Sequence, residues 1–183
     1  MKIALEQAVS VRAGVAFREA IKHEEGGGIA IVQAGDAPTR GELPIVAAGE
    51  VLLQCRGQSY RAAVMPAHNV PVVPTASLLV LRPGPQLTPE YLAQFLNDPV
   101  TQAELRTLAT GATIANLKRN SVEQLQVLVP SIEDQKRIVA YSETLREISR
   151  LEARLAELRR TELRALLEEC SKRNRRRANA PGS

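Results

Sequence analysis

Metal and redox chemistry have little to draw on in this chain: its 183 residues include two cysteines and two histidines. Cys55 and Cys170 fit no metal-binding or redox spacing and read as reduced, partly buried thiols. His23 and His68 are isolated, so no zinc site is expected. Long apolar runs are missing too. No stretch reaches the ~18 apolar residues of a membrane helix, and Met1–Glu6 lacks the apolar core of a signal peptide. The expectation is a cytoplasmic protein with no membrane partner. Catalytic signatures are equally scarce, with no phosphate loop, no glycine-rich dinucleotide fingerprint, no adenine-methyltransferase motif and no suggestion of a Ser/His triad. These absences point to a non-enzyme without a cofactor.

What is present divides at Pro130. Residues 1–130 contain short strand patterns, glycines and turns, and are long enough to bury about two-thirds of their unfolded surface. The formal net charge is +4, yet Lys172, Arg173, Arg175, Arg176 and Arg177 place five positive charges near the C-terminus, leaving net −1 before them. Residues 1–130 balance 11 basic against 11 acidic side chains. Nucleic-acid binding would therefore need a local patch, because the module has no global field.

Along this module, Ile29–Gln33 reads as a strand after the Gly26–Gly28 turn. Glu50–Cys55 and Tyr60–Met65 flank a hairpin loop at Arg56–Ser59. Asn69–Val73 and Ala76–Leu81 add strands on either side of a break at Pro74. Thr88-Pro89-Glu90 and Asp98-Pro99 each combine an N-cap with proline at the first helical position, so two helices are expected, the second stopped near Gly111. Ser121 with Gln124 has capping-box spacing, and Leu125–Val129 reads as a short buried strand.

A long helix follows, with Ser131 as its N-cap, Glu133 and Asp134 in its first turn, and an expected end near Ser171. Ile138, Tyr141, Leu145, Ile148, Leu151, Leu155 and Leu158 recur every three or four residues, and Leu163, Leu166 and Leu167 continue on a shifted face. That is coiled-coil spacing with an interrupted heptad. Glu143–Arg146, Glu147–Arg150 and Glu157–Arg160 add pairs three residues apart. The stripe extends too far for a helix folded back on its own domain, so pairing with a second long helix is favoured. The predicted architecture is α+β: a β-rich module with short helices over residues 1–130, a pairing helix over 131–171 and a flexible basic tail over 172–183.

Several segments carry a resemblance. Gly14-Val15-Ala16-Phe17, Ile29–Asp36, Gly49–Gly57 and Leu87–Leu96 resemble parts of a target-recognition domain. Gly111–Leu117, followed by Val129–Ile138, is similar to the junction between such a domain and its conserved helix. The family is that of the specificity subunits of type I restriction-modification systems, and the resemblance covers about residues 9–170. Family subunits have two recognition domains and two helices where this chain has one of each. The resemblance thus implies a half-subunit that closes as an antiparallel homodimer and takes double-stranded DNA and an adenine methyltransferase subunit as partners. The dimer would direct the methyltransferase, and with it a restriction motor where one is present, to a bipartite site.

Recognition residues in this family vary with the target, so candidates rest on chemistry. Arg56, Gln58, Ser59, Tyr60 and Arg61 offer two guanidinium groups, an amide, a hydroxyl and an aromatic face; Arg pairs with guanine and Gln with adenine in the major groove. Tyr60 is a candidate for stacking on an extruded base. Lys118, Arg119 and Asn120 suit phosphates better than bases, and Gln33, Asp36 and Arg40 form a weaker third group. Each reads equally as a solvated turn. Lys172–Arg177 reads as a flexible nucleic-acid arm or as a solubilising end. A second reading is a protein-interaction adaptor of a defence system, which the neutral module supports and the Arg56–Arg61 loop opposes.

Overall fold

The computed structural model describes residues 1–16, 30–32, 45–57, 59–69, 71–110 and 115–178, with the backbone alone for 30–32 and 170–178. Two compact units result, Met1–Val139 and Ala140–Ser183.

In the first unit, β4 (Val51–Gln54) is the centre of a four-stranded antiparallel sheet. It pairs on one side with β5 (Ala62–Val64), forming the expected hairpin, and on the other with β7 (Leu78–Pro83), which in turn pairs with β2 (Val9–Ala13). The unbroken apolar runs of β4 and β7 follow from burial of both sheet faces. Val51, Leu53, Leu79 and Leu81 point into the larger core, and Leu52, Leu78 and Val80 into a smaller one with Val46 and Val72. Among the described residues two further pairs of strands occur. β1 (Lys2–Ala4) runs antiparallel to β8 (Gln126–Leu128), and β3 (Ala30–Val32) runs parallel to β6 (Val72–Pro74). Gly14 is required where the chain passes Thr75, since a Cβ there would collide with the Thr75 carbonyl.

The larger core is covered by α1 (Pro89–Asn97), α2 (Pro99–Leu108) and α3 (Arg119–Glu123), which contribute Leu92, Leu96, Leu105 and Val122. The two predicted N-caps are present. Thr88 accepts from Tyr91 N at 3.3 Å, and Asp98 from Val100 N at 2.9 Å and Thr101 N at 3.4 Å. Other local expectations are corrected. α2 stops at Leu108 with Ala109 extended, and Gly111 lies outside the described residues. α3 begins after Lys118, so Ser121 sits inside the helix and caps nothing. β1 and β2 had no counterpart in the expected element order.

α4 (Ile132–Ala178) opens as expected: Ser131 Oγ accepts from Asp134 N at 3.1 Å and donates to Asp134 Oδ2 at 2.7 Å. Its first two turns belong to the first unit because Gln135 is fully buried there. Gln135 Oε1 accepts from Thr88 N at 2.8 Å, and its Nε2 donates to Gln86 O at 2.7 Å and Pro130 O at 3.1 Å. The helical backbone continues past the expected Ser171 to Ala178, through Lys172–Arg177. No helix among the described residues is long and apolar enough to cross a membrane.

Candidate nucleic-acid interface

The hairpin tip between β4 and β5 is tied to sequence far downstream. Cys55 O accepts from Leu117 N at 2.8 Å, Gly57 N donates to Ala115 O at 3.1 Å, and Arg56 forms an antiparallel bridge with Asn116. Asn116 bonds in turn to Thr110 in both directions, at 2.8 and 3.0 Å. Gly57 turns the tip with φ of 104°, a conformation that favours glycine. Gln54 Nε2 braces it by donating to Arg56 O at 3.0 Å.

This small ladder sets the backbone of Ala115–Leu117 against Cys55–Gly57, whereas α3, which follows, packs at the β2 edge of the sheet, where Arg119 lines a pocket with Ser10 and Arg82. Lys118 follows Asn116 by two residues and precedes α3, whose first turn carries Arg119 and Asn120. Arg56, Ser59, Arg61, Lys118, Arg119 and Asn120 are all exposed. Arg119 Nε contacts Glu123 Oε1 at 2.7 Å, which offsets part of its charge. The exposed guanidinium groups of Arg56 and Arg61 have the chemistry to meet base edges or phosphates.

Tyr60 is the clearest correction. It is 1% exposed and packs in the larger core, so its ring is not free to stack on a base. Side chains alternate on the way into β5, so Tyr60 and Ala62 turn inward while Arg61 turns out, and α1 and α2 complete the core around Tyr60. Gln58 lies outside the described residues, as do Gln33, Asp36, Arg40 and His23. Cys55 is a buried free thiol whose pKa burial pushes up, against the pull of the Arg56 charge. That places it among the reduced thiols expected from sequence; the Cys170 side chain lies outside the described residues. No cluster of three metal-ligating side chains occurs among the described residues.

Sequence reading missed the residues that hold this loop. Gln102 and Asn97 bond to the backbone of Tyr60 and Ala62 from α2 and α1. They are 42 and 35 positions away, and no local spacing marks them. On the opposite sheet face, buried Glu50 accepts from Arg12 at 2.8 Å, Arg82 at 2.9 Å and Ala47 N at 2.8 Å.

In the second unit the apolar stripe is uncovered. From Ile138, at the close of the first unit, through Tyr141, Leu145, Ile148, Leu151, Leu155 and Leu158, exposure runs from 40% to 68%, and Leu163, Leu166 and Leu167 are exposed as well. Surface ion pairs join Glu147 to Arg150 at 3.0 Å and Arg154 to Glu157 at 3.3 Å.

Known proteins resemble this chain in sequence and in fold. Within the chain, 79 residues are 30% identical to the StySPI type I restriction enzyme specificity subunit of Salmonella potsdam, covering 43% of this chain and 17% of that protein. A solved structure of a type I restriction-modification system superposes with a TM-score of 0.63 at 19% identity, over 91% of this chain and 43% of that one. The S subunit from M. genitalium superposes at 0.59 with 14% identity, over 80% of this chain and 39% of that one. The HsdS subunit of Thermoanaerobacter tengcongensis superposes at 0.58 with 16% identity, over 80% and 37%. The chain thus spans less than half the length of each. The sequence profile of the type I restriction modification DNA specificity domain matches residues 2–160, and with a profile match over most of its length this chain belongs to that family.

Proposed function

We propose that this chain is a non-catalytic half-subunit that reads one half of a bipartite DNA site and, as an antiparallel homodimer, directs an adenine methyltransferase subunit to it. The observation that carries this reading is the pair of exposed arginines, Arg56 and Arg61, at one hairpin tip of a chain in the DNA specificity family. Homodimerisation is supported by the uncovered stripe from Ile138 to Leu158, because an isologous pair of such helices buries both stripes at once. Helix length then sets the gap between half-sites. The chain works in the cytoplasm, where its DNA is.

A protein-interaction adaptor is the competing reading, favoured by the equal count of acidic and basic residues in 1–130. Two measurements on the full chain separate them. Light scattering at tens of micromolar should return twice the 19.9 kDa chain mass. Duplex binding, alone or with the methyltransferase, should weaken linearly on a log–log salt plot. A monomer sinks the dimer; binding without salt dependence, or none, favours the adaptor.

A further inference from the structure

Among the described residues, the outer edge of the recognition hairpin is met by side chains and not by a strand. β5 is the last strand of its sheet, and in an antiparallel ladder alternate residues turn their N–H and C=O away from the neighbour. Arg61 faces β4, its carbonyl accepting from Gln54 N at 2.9 Å. The backbone N–H and C=O groups of Tyr60 and Ala62 therefore point away from β4, and each residue's pair meets one primary amide. Gln102 Oε1 accepts from Tyr60 N at 3.3 Å, and its Nε2 donates to Tyr60 O at 2.6 Å. Asn97 Oδ1 accepts from Ala62 N at 3.0 Å, and its Nδ2 donates to Ala62 O at 2.7 Å. Two successive positions of a missing fifth strand are reproduced. Gln102 Nε2 donates also to Leu96 O at 2.6 Å, which fixes the amide against α1.

The residue between the two clamped positions is Arg61. Tyr60 and Ala62 are anchored in the core, while the Arg61 side chain is exposed. We propose that Asn97 and Gln102 are positioning residues for DNA readout, fixing the backbone on both sides of Arg61 so that its guanidinium is aimed before a duplex arrives. The proposal rests on reading the Arg56–Arg61 loop as a base-contacting element. A bidentate fork discriminates between bases only when it is aligned. Ordering the loop during folding removes that cost from binding. A side-chain amide also fits where a strand would not, because it blocks further edge pairing while leaving the tip open to a ligand.

The test uses Gln102→Glu in the full chain. The carboxylate keeps the acceptor for Tyr60 N but sets a negative oxygen against the carbonyls of Tyr60 and Leu96. Wild type first selects a preferred sequence from duplexes with a randomised core, and affinities for that duplex and a scrambled one are then compared. The ratio should fall about tenfold in Gln102→Glu, within what one bidentate contact contributes, while affinity for the scrambled duplex is unchanged. In an Arg61→Ala background, Gln102→Glu should cause no further loss, an outcome that a merely structural role would not produce. An unchanged ratio, or an undiminished loss in the Arg61→Ala background, overturns the positioning role alone. If wild type enriches no sequence, the base-reading assignment fails and the proposal fails with it. Should Gln102→Glu not fold, Asn97→Asp at the adjacent clamp is measured against the same outcomes.

Discussion

Single side chains at the hairpin tip divide by what their backbone allows. Arg56 and Arg61 are exposed and free of the core, so truncation to alanine removes chemistry without opening a cavity. Each should cost about 1–3 kcal/mol of binding to the preferred duplex if it contacts guanine; if it contacts phosphate, affinity should fall alike on all duplexes with a flatter salt slope. Competition binding distinguishes these. The tip was legible because polar residues between two apolar runs mark a hairpin wherever they occur. The fate of Tyr60 was not, since its burial depends on helices that close over it from later in the chain. Glu50 makes a similar point, as neither Arg12 nor Arg82 is near it in sequence. Burial acts to raise its pKa, but bonds from Ala47 N, Arg12 and Arg82 outweigh this and hold it below the ordinary carboxylate range. A lowered folded pKa contributes stability above that range and loses it as pH falls through the folded value. Glu50→Gln should therefore lower stability near neutral pH by about 1–3 kcal/mol, with the gap to wild type closing below about pH 4. Urea midpoints across pH check this, and a gap independent of pH would contradict an ionised triad.

Elements defined by local chemistry were readable, and those defined by distant pairing were not. Thr88, Asp98 and Ser131 cap helices within three residues of themselves, so their signals sit in short windows. β1 is three residues long and exists because Lys2–Ala4 pairs with Gln126–Leu128 at the other end of the module. Its sequence carries no period to detect. α4 combines both cases. Its stripe announces a helix, whereas the means of fixing its start, the amide of Gln135, bonds across 47 and 49 positions to Thr88 and Gln86. Gln135→Ala strips partners from the Thr88 N–H and from the Gln86 and Pro130 carbonyls. A loss of about 1–3 kcal/mol is expected in chemical unfolding of the full chain; a change within a few tenths would mean that water replaces the amide at little cost.

At the scale of the whole molecule, the proposed reading gives one recognition unit and one helix half of what a two-site reader needs. On the proposed reading, two-fold closure supplies the rest. The basic segment at Lys172–Arg177 then matters as the end of a helix ~70 Å long. If it lies along DNA, five phosphate contacts would contribute a log–log salt slope of about −4.5 per chain, and removal of residues 172–183 would lower affinity for all duplexes without changing preference. The family membership is legible from motifs spread between residues 9 and 170, because it rests on the order and spacing of several short segments and not on any single residue.

The central claim, that two copies of this chain aim an adenine methyltransferase at a bipartite site, is tested most directly by mapping methylated adenines in the genome of cells carrying the chain and its methyltransferase, with and without this chain. The expected result is one motif of two inverted, identical half-sites at a fixed spacing, lost when the chain is removed. A motif with two unrelated halves, a single contiguous site, or a methylation pattern indifferent to the chain would contradict it.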